Sequence, residues 1–315
     1  MYRRVRRSIA EQIVGNEDVV RALMIALVSE GHVLLEGVPG IAKTQVARSF
    51  AQSLHLSFRR IQFTPDMLPS DILGATILKP RDQTFEFRAG PVFANVVLAD
   101  EINRAPPKVQ SALLEAMQER QVTIDGATHP LPRPFLVIAT QNPIEQEGTY
   151  PLPEAELDRF LFRWIMGYPS AEDEVAILRS RAEGAIPDAL PPVLEPSDVE
   201  RLRHLRDGVY VGDEILRYLT AVVRGTRENP KLLLGASPRA SVQFLLAAKA
   251  AALLDGRDFV LPDDVRDLAF AVLNHRVILR PEIVSSAPAV GGSAALSGPL
   301  PRILRETVAA VPVPR

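Results

Sequence analysis

The 315-residue sequence contains no cysteine, which excludes disulfide bonds and thiolate metal sites. It also lacks a large charge imbalance, because 36 Lys and Arg residues face 38 Asp and Glu residues, for a formal net charge of −2. This balance provides no overall attraction to nucleic acids or acidic membranes. A chain without cysteine fits a reducing compartment, and we expect a cytoplasmic protein.

Long apolar segments are missing near the start of the chain. Four arginines occur within Met1–Arg7, but the nearest apolar stretch, Ala22–Val28, has only seven residues and follows Glu17 and Asp18. A signal peptide places its apolar region directly after the basic residues, and a membrane-spanning helix needs about 20 apolar residues. We therefore expect neither a signal peptide nor a membrane anchor.

The composition is that of an ordinary globular protein, with 47% hydrophobic and 23% charged residues. A chain of 315 residues can bury one large core and a smaller second core, so we expect two domains. The histidines are not spaced as metal ligands, and we interpret them as structural or solvated; they are His32, His55, His129, His204 and His275.

The most informative motif is Gly37–Thr44, which reads Gly-Val-Pro-Gly-Ile-Ala-Lys-Thr between the apolar Val33–Leu35 and the helix-like Gln45–Arg48. Glycines let backbone N–H groups surround a phosphate, Lys43 adds a positive charge, and the Thr44 hydroxyl can ligate Mg²⁺. The pattern predicts an ATP-binding loop, and the alternative is a Gly/Pro turn that carries a lysine. The candidate binding residues are Gly37, Val38, Pro39, Gly40, Ile41, Ala42, Lys43, Thr44 and Gln45.

One position departs from the common pattern G-x-x-x-x-G-K-[ST], because Ala42 stands where the last glycine usually lies. Alanine has the smallest side chain, so we expect it to be tolerated there provided that its φ angle is negative. Lys43 and Thr44, which carry the chemistry, are in place.

A second motif, Ala94–Glu101, is an apolar segment that ends in two acids. Buried parallel strands are apolar on both faces, and open α/β sheets bind ligands at the carboxyl ends of their strands. Asp100 is therefore a candidate Mg²⁺ ligand, directly or through water. Glu101 is a candidate base that polarises the water attacking the γ-phosphate. In isolation, a helix N-cap with two acids in its first turn explains the pair equally well, but the upstream loop favours the catalytic interpretation.

Strands and helices alternate through the first half of the chain, which predicts an α/β fold with a parallel five-stranded sheet and helices on both faces. The predicted strands are Val33–Glu36, Phe58–Phe63, Val96–Asp100, Phe135–Thr140 and Leu161–Met166. The predicted helices include residues 1–30, Lys43–Leu54 and Val109–Arg120. Two hairpins are predicted, at residues 75–90 and at residues 121–134, the second with Asp125-Gly126 in a type I′ turn.

Beyond Tyr168-Pro169 the pattern predicts helices only. They are Ala171–Arg181, Pro196–Arg206, Asp213–Arg227, Pro238–Leu254 and Pro262–His275. We therefore predict a nucleotide-binding core over residues 1–169 and an all-helical domain over residues 170–282. Residues 283–315 are predicted to hold a flexible linker (285–299) and a helix, Pro301–Val311, that docks back on the protein.

These features resemble the AAA+ ATPases and, among them, the MoxR family. The resemblance is carried by the loop, the Asp100-Glu101 strand end, the all-helical C-terminal domain and several longer segments. These segments are Leu35–Gly40, Thr64–Asp71, Ala99–Met117, Ala139–Pro143 and Val311–Pro314. The similarity extends over nearly the whole chain, and an alanine at the position of Ala42 is common in this family.

The resemblance implies roles for further residues. Asn142 matches sensor 1, where an amide at a strand end orients the attacking water or contacts the γ-phosphate; the alternative is a turn asparagine before Pro143. Arg159 matches the arginine finger that reaches a neighbouring subunit's γ-phosphate, an effect worth about 10³–10⁵ in rate in studied NTPases. Arg163 is a nearby competitor for that role, and a surface salt bridge is the alternative for either arginine.

The helical domain and the hairpins also receive roles from the resemblance. Arg239 matches sensor 2 at the start of a lid helix, where it would couple the lid angle to the nucleotide state. Gly15 matches the segment that borders the adenine. The hairpins match the helix-2 insert and the pre-sensor-1 hairpin, which face the axial channel of a ring in this clade, and we expect them to contact partners.

The function implied is ATP hydrolysis in a homo-oligomeric ring, expected to be a hexamer, that matures or activates client proteins, including by metal or cofactor insertion. A partner with a von Willebrand factor A domain is also implied. A nucleic-acid remodelling motor is the alternative from another class, but it would call for a basic stripe or an added DNA-binding module. A nucleotide-switched scaffold with little turnover and a magnesium-chelatase-like subunit are the remaining alternatives, the latter separable by its porphyrin-binding partner.

Overall fold

The structure is a computed structural model that describes residues 1–38, 40–81, 83–142, 148–182, 190–285 and 298–314. The strands are β1 Val33–Glu36, β2 Phe58–Gln62, β3 Gly74–Lys79, β4 Thr84–Ala89, β5 Val96–Asp100, β6 Gln121–Ile124, β7 Ala127–Pro130, β8 Leu136–Gln141, β9 Phe162–Ile165, β10 Leu232–Leu234 and β11 Ile278–Leu279. The helices are α1 Tyr2–Ala10, α2 Glu17–Val28, α3 Lys43–Ser53, α4 Pro69–Leu73, α5 Pro107–Glu119, α6 Glu154–Leu157, α7 Ala171–Ala182, α8 Pro196–Asp207, α9 Asp213–Glu228, α10 Pro238–Leu254, α11 Pro262–Leu273, α12 Pro281–Ser285 and α13 Leu300–Ala309.

A five-stranded sheet in the order β2-β5-β8-β1-β9 forms the centre of the first half of the chain, and all of its pairings are parallel. In the register, Val33 lies opposite Ile138 on one side and Phe162 on the other. The predicted parallel sheet is confirmed, and each predicted strand end lies within one residue of the observed end.

Successive side chains of the sheet enter two different hydrophobic layers, as the period of two in a strand requires. Leu34 and Val97 pack in the layer that contains α5. Leu35 and Leu98 pack in the opposite layer with α2 and α3. Helices therefore cover both faces of the sheet, and the predicted α/β class is confirmed.

Helix α2 connects the sheet to the helices of the second half of the chain. Nine of its twelve residues are buried, and its hydrophobic layer continues into α8, α10 and α11. At its C-terminal end, Arg203 of α8 donates to the carbonyl of Leu27 at 3.2 and 3.0 Å, and Arg206 donates to the carbonyl of Val28 at 2.7 Å. These bonds satisfy carbonyls that a helix end leaves without partners. The C-terminal helices are thereby fixed beside the segment that leads into β1.

Two of the predictions for secondary structure are wrong. Residues 1–30 form two helices, α1 and α2, because Gly15 adopts φ +78° between them and an αL residue does not continue a helix. The region beyond Ala171 is not purely helical, since β10 pairs with β11 in an antiparallel ribbon between the ends of α9 and α11. These strands are too short, at three and two residues, to show an alternation in the sequence.

The predicted hairpins are confirmed. β3 pairs with β4, and β6 pairs with β7. The second turn has positive φ at both Asp125 (49°) and Gly126 (79°), as a type I′ turn requires. The predicted C-terminal helix is confirmed as α13, which packs on α9 and α11. Most of the predicted linker, residues 286–297, lies outside the described residues, and the domain boundaries at 169/170 and 282/283 stay predictions.

The buried histidines are structural. His32 donates from Nε2 to the carbonyl of Met117 at 3.1 Å and accepts at Nδ1 from the Val137 N–H at 3.0 Å, so its neutral form fits the site. Burial lowers the pKa of His32 to about 4. Burial also places the pKa of His275 well below the usual value. Within the described ranges, no cluster of three metal-binding side chains occurs, and no helix is long and apolar enough to span a membrane.

We expect His32 to make folding stability depend on pH between 7 and 5. Because its pKa is about 4 in the folded chain and about 6.5 when unfolded, the unfolded state binds more protons as the pH falls through 6.5. The free energy of unfolding should therefore fall by about 2 kcal/mol between pH 7 and pH 5 on account of this group. Urea unfolding of His32→Gln should show a weaker pH dependence, although the variant is less stable throughout. The exposed His204, changed to Gln, is the control, and an unaltered pH dependence in His32→Gln would contradict the assignment.

Candidate functional site

The loop between β1 and α3 lies where the parallel strands end, a side of the sheet that we call its carboxyl edge. Glu36 ends β1 and Lys43 begins α3; Pro39 lies outside the described residues. Gly37 has no room for a side chain, because a Cβ there would lie 2.8 Å from the Met166 carbonyl oxygen. Gly40 adopts φ +84°, a conformation that glycine reaches without strain. The first turn of α3 contains no acidic residue and directs its unpaired N–H groups at the loop.

Ala42 does not meet the condition under which we expected it to be tolerated. Its φ is +63° and its ψ is 21°, in the left-handed region, so the expectation of a negative φ is wrong. The physical reason is that the chain must turn sharply from the loop into α3, and the Ala42 carbonyl already accepts from the Val46 N–H at 2.9 Å. For a residue with a Cβ, this conformation costs about 1–2 kcal/mol.

Lys43 links the loop to the end of the neighbouring strand β8. Its Nζ donates to the Gly37 carbonyl at 2.7 Å and lies 3.5 Å from the carbonyl oxygen of Gln141. Thr44 and Gln45 occupy the same first turn of α3 and are partly buried. The ammonium group is therefore held at the mouth of the loop, where a bound phosphate would lie.

The two acids follow β5 at the same edge. Asp100 is buried, and its Oδ1 accepts from the Thr140 hydroxyl at 2.5 Å. Its Oδ2 accepts from Nε and a terminal nitrogen of Arg60, at 2.9 and 2.7 Å. The Thr140 oxygen also accepts from the Glu101 N–H at 2.9 Å. One hydroxyl on β8 thus fixes both the carboxylate of Asp100 and the backbone of Glu101.

Glu101 adopts φ +58°, and two side chains orient its carboxylate. Its Oε2 accepts from Gln62 Nε2 at 2.6 Å and from an Arg104 guanidinium nitrogen at 3.0 Å. Sequence reasoning missed the residues that hold the acids, which are Arg60, Gln62, Arg104 and Thr140. The sequence offered a partial signal, because Gln62 and Thr140 are polar residues at the carboxyl ends of predicted strands and Arg60 is a charged residue within the first of these strands.

Asn142 and Arg163 line a cavity of about 270 Å³ beside the loop. Asn142 follows β8 directly and is buried. Arg163, in β9, donates from Nε to Glu36 Oε2 at 2.6 Å. Both partners are largely buried, with 21% of the Arg163 side chain and 8% of the Glu36 side chain exposed. The charge of Arg163 is therefore paired within its own chain next to the loop.

Gly15 lies where the N-terminal segment meets the first helix after the sheet. A Cβ at Gly15 would come within 2.8 Å of the Asp173 carboxylate carbon on α7. Its φ of +78° favours glycine, and a side chain there would also displace the Asp173 carboxylate. Because α7 follows the carboxyl end of β9, Gly15 lies on the loop side of the sheet.

Arg159 and Arg239 lie together at the opposite edge of the sheet, which is the side where the parallel strands begin. Both line a cavity of about 190 Å³ with Arg120, Gly31 and His32. Gly31 and His32 precede β1, whereas the loop follows it. At about 3.3 Å per residue, the four residues of β1 separate the two edges by about 13 Å. The predicted site residues therefore fall into two groups, one at each edge.

Comparisons with known proteins show what the chain as a whole is similar to. Residues 32–162 match the model of the "ATPase family associated with various cellular activities (AAA)", and residues 224–290 match the "AAA lid domain". The chain is 49% identical over 276 residues to "Chaperone MoxR1" of Mycobacterium tuberculosis, covering 85% of this chain and 73% of that protein. It is 50% identical over 270 residues to the protein YeaC of Bacillus subtilis, covering 86% and 84%. The crystal structure of a putative ATPase from Cytophaga hutchinsonii superimposes with a TM-score of 0.88 at 40% identity, covering 99% of this chain and 94% of that one.

We expect Ala42→Gly to relieve strain in the loop. Glycine adopts φ +63° freely, although it also gains entropy in the unfolded chain, so the net gain in unfolding free energy should be about 0.5–1 kcal/mol. Ala42→Val should destabilise the protein and weaken nucleotide binding, because a β-branched residue at positive φ is strongly disfavoured. Urea unfolding and nucleotide titration measure both effects. Destabilisation by glycine would show that the left-handed conformation is not maintained in solution.

We expect Thr140→Val to impair turnover far more than nucleotide binding. The change preserves shape but removes the donor to Asp100 and leaves the Glu101 N–H without its acceptor. The turnover number should fall about 10- to 100-fold, since both acids lose their orientation. Thr140→Ser keeps the hydroxyl and is the control. Equal activities of Thr140→Val and the unmodified protein would remove Thr140 from the site.

Proposed function

This chain belongs to the MoxR family of AAA+ ATPases, and from this premise we propose that it hydrolyses ATP at sites shared between neighbouring subunits of a homo-oligomeric ring, with a hexamer as the expected form. Within this proposal, residues 1–169 are the nucleotide-binding core and residues 170–282 the lid. The output of the cycle is the maturation or activation of client proteins.

The observation that carries the proposal is the separation of two groups of residues that one reaction needs. Lys43, Asp100 and Glu101 lie at the carboxyl edge of the sheet, whereas Arg159 and Arg239 lie at the opposite edge. A nucleotide bound at the loop is a full strand length from the arginines of its own chain. A neighbouring subunit that places its opposite edge on this loop completes the site.

The carboxyl edge supplies the residues for attack on the γ-phosphate. We assign Glu101 as the base that polarises the water, because two hydrogen bonds orient its carboxylate. Asn142 orients the same water or contacts the γ-phosphate from the end of β8. Lys43 binds the β- and γ-phosphate oxygens, and the backbone of the loop from Gly37 to Gln45 surrounds the phosphates. Gly15 borders the adenine.

The residues at this edge fit Mg²⁺. Thr44 and Asp100 would hold it, and both offer the hard oxygen ligands that Mg²⁺ prefers. Mg²⁺ commonly uses one or two protein ligands together with phosphate oxygens and waters. When bound, the ion supplies charge neutralisation for the phosphate oxygens.

Arg159 is a better candidate than Arg163 for the arginine that acts on the neighbouring nucleotide. Arg163 is paired with Glu36 beside its own loop, at 2.5 Å between the guanidinium and Oε2. Arg159 instead lines a cavity with Arg239 at the far edge, where the two positive charges can stabilise the transition state of the adjacent subunit. We therefore propose that Arg239 also acts in trans.

The hairpins are proposed to contact the client or a partner with a von Willebrand factor A domain. Phe87 of β4 stacks on His129 of β7, with ring centroids 3.9 Å apart and planes inclined by 18°. The two hairpins therefore form one surface. Phe85 is 74% exposed and lies opposite Leu78, which is 52% exposed, so this surface presents apolar side chains to a partner.

We expect ATP turnover to require two subunits. Specific activity should rise with protein concentration as rings assemble in ATP. Glu101→Gln should bind ATP, stabilise the oligomer and lose turnover. Arg159→Ala should bind ATP normally and lose about 10³-fold in rate. A mixture of the two inactive variants should regain activity. At some subunit boundaries, a Glu101→Gln subunit supplies an intact Arg159 to the nucleotide site of an Arg159→Ala subunit, whose Asp100 and Glu101 are intact.

Three outcomes would contradict the proposal. Concentration-independent turnover in a monomer would exclude a shared site. Normal turnover in Glu101→Gln would exclude the assigned base. Mixed oligomers, demonstrated by sizing with one tagged variant, that remain inactive would exclude donation of Arg159 across the subunit boundary. Arg302→Ala is the matched control, because Arg302 is an exposed arginine of α13 that is not among the residues lining either cavity.

A further inference from the structure

The carboxylate of Asp158, directly before Arg159, is held by two separate elements of the helical region. Its Oδ1 accepts from Nε of Arg276 at 2.8 Å, and its Oδ2 accepts from the Ser237 hydroxyl at 3.0 Å. Arg276 follows α11, and Ser237 is the N-cap of α10, two residues before Arg239. One carboxylate therefore joins the chain segments that carry Arg159 and Arg239, two of the arginines that line the cavity.

Arg276 is fixed in a single position by its burial and its partners. Only 1% of its side chain is exposed. Besides Asp158, its guanidinium donates to the carbonyls of Val272 at 2.5 Å, Leu161 at 3.2 Å and Phe160 at 2.6 Å, and to the side chain of Gln243. Burial lowers the pKa of Arg276 to about 10 while Asp158 opposes the decrease, so the side chain is charged at neutral pH. A buried charge is stable only with such a full set of partners.

The two residues before Arg276 bind the same stretch of chain. Asn274 donates from Nδ2 to the Arg163 carbonyl at 2.9 Å, and His275 donates from Nε2 to the Phe160 carbonyl at 3.0 Å. The turn after α11 is thus hydrogen-bonded along the whole segment that leads into β9. These buried hydrogen bonds join the segment to the helical region, and breaking them together would be costly.

We propose that Asp158 and Arg276 are positioning residues, which with Ser237 hold Arg159 and Arg239 in one fixed mutual arrangement so that both reach the neighbouring subunit's ATP as a unit. The inference rests on the proposed function, since both arginines must act across the subunit boundary. Its physical basis is preorganisation: an arginine on an exposed turn loses much conformational freedom when it binds a phosphate, and a fixed backbone reduces this loss.

Mixed oligomers can separate positioning from general structural damage. The acceptor subunit carries Arg159→Ala and supplies the working nucleotide site, and the donor subunit carries Glu101→Gln and supplies the arginines. Asp158→Asn is added to the donor alone or to the acceptor alone, and ATP turnover of each equimolar mixture is measured. In the donor we expect turnover to fall about tenfold with KM changed less than about threefold, because preorganisation is lost in the transition state. In the acceptor we expect turnover within about twofold of the reference mixture.

Asp264→Asn is the matched control. Asp264 also binds an arginine of the helical region through both oxygens, at 2.7 and 2.6 Å from Arg257, and caps the first turn of α11 through the Leu261 N–H at 2.8 Å. Asp264→Asn should have the same effect on turnover in the donor subunit as in the acceptor subunit.

Arg276→Lys keeps the charge but loses the planar set of hydrogen-bond donors, and we expect the same loss of turnover, confined to the donor subunit. Ser237→Ala removes one of the two links and supplies the test if the other variants do not fold.

The outcomes distinguish this inference from the proposed function. A loss confined to the donor supports positioning. Equal losses in both subunits, or no loss in the donor, would overturn it and leave the shared site intact. An inactive reference mixture, without any change at Asp158, would instead overturn the shared site, and the inference with it.

Discussion

The burial of helix α2 is the constraint on which the rest of the structure depends. A helix that is apolar on nearly every side must be covered on every side, and α2 achieves this between the sheet and helices α8 and α10. Its last carbonyls are satisfied by Arg203 and Arg206, so the helical region docks beside the start of β1 and away from the loop. The position of Arg239 follows from this docking, because α10 packs on α2. The packing of one helix therefore decides which edge of the sheet each functional residue occupies.

The carboxyl edge is built differently, from strand ends rather than from helix packing. Parallel strands bring the ends of β1, β5 and β8 together irrespective of their distance in sequence. Thr140 exploits this proximity, since one hydroxyl contacts both Asp100 and the backbone of Glu101. Such a group costs little when all its hydrogen bonds are made, and it fixes two acids that repel each other. Strain is tolerated at the same edge, where Ala42 and Glu101 both adopt positive φ.

The sequence allowed the sheet, both hairpins and the positions of the C-terminal helices to be predicted, because periodicity and turn residues are local signals. The loop and the acid pair were equally accessible, since each is contiguous. Three features could not be predicted from the sequence. The φ of Ala42 is imposed by the turn into α3, which no residue type reveals. The ribbon of β10 and β11 joins segments more than forty residues apart and is too short for a pattern. Asp100 and Glu101 are held by Arg60 and Gln62 of β2. The pairing of β2 with β5 brings these residues together, and this pairing is known only from the fold.

The two edges are physically connected through α2. The helix begins at Glu17, close to Gly15, which contacts α7 at the carboxyl edge. It ends close to Glu30, which lines the arginine cavity at the opposite edge. Twelve residues at about 1.5 Å each span about 18 Å, which is longer than the roughly 13 Å that separates the two edges along β1. Since α2 is close-packed along this length, it cannot absorb a displacement at one end by local rearrangement. In the proposed ring, a displacement of the Gly15 segment at one nucleotide site would therefore reach the helical region that carries Arg239, and with it the arginines proposed to serve the next site.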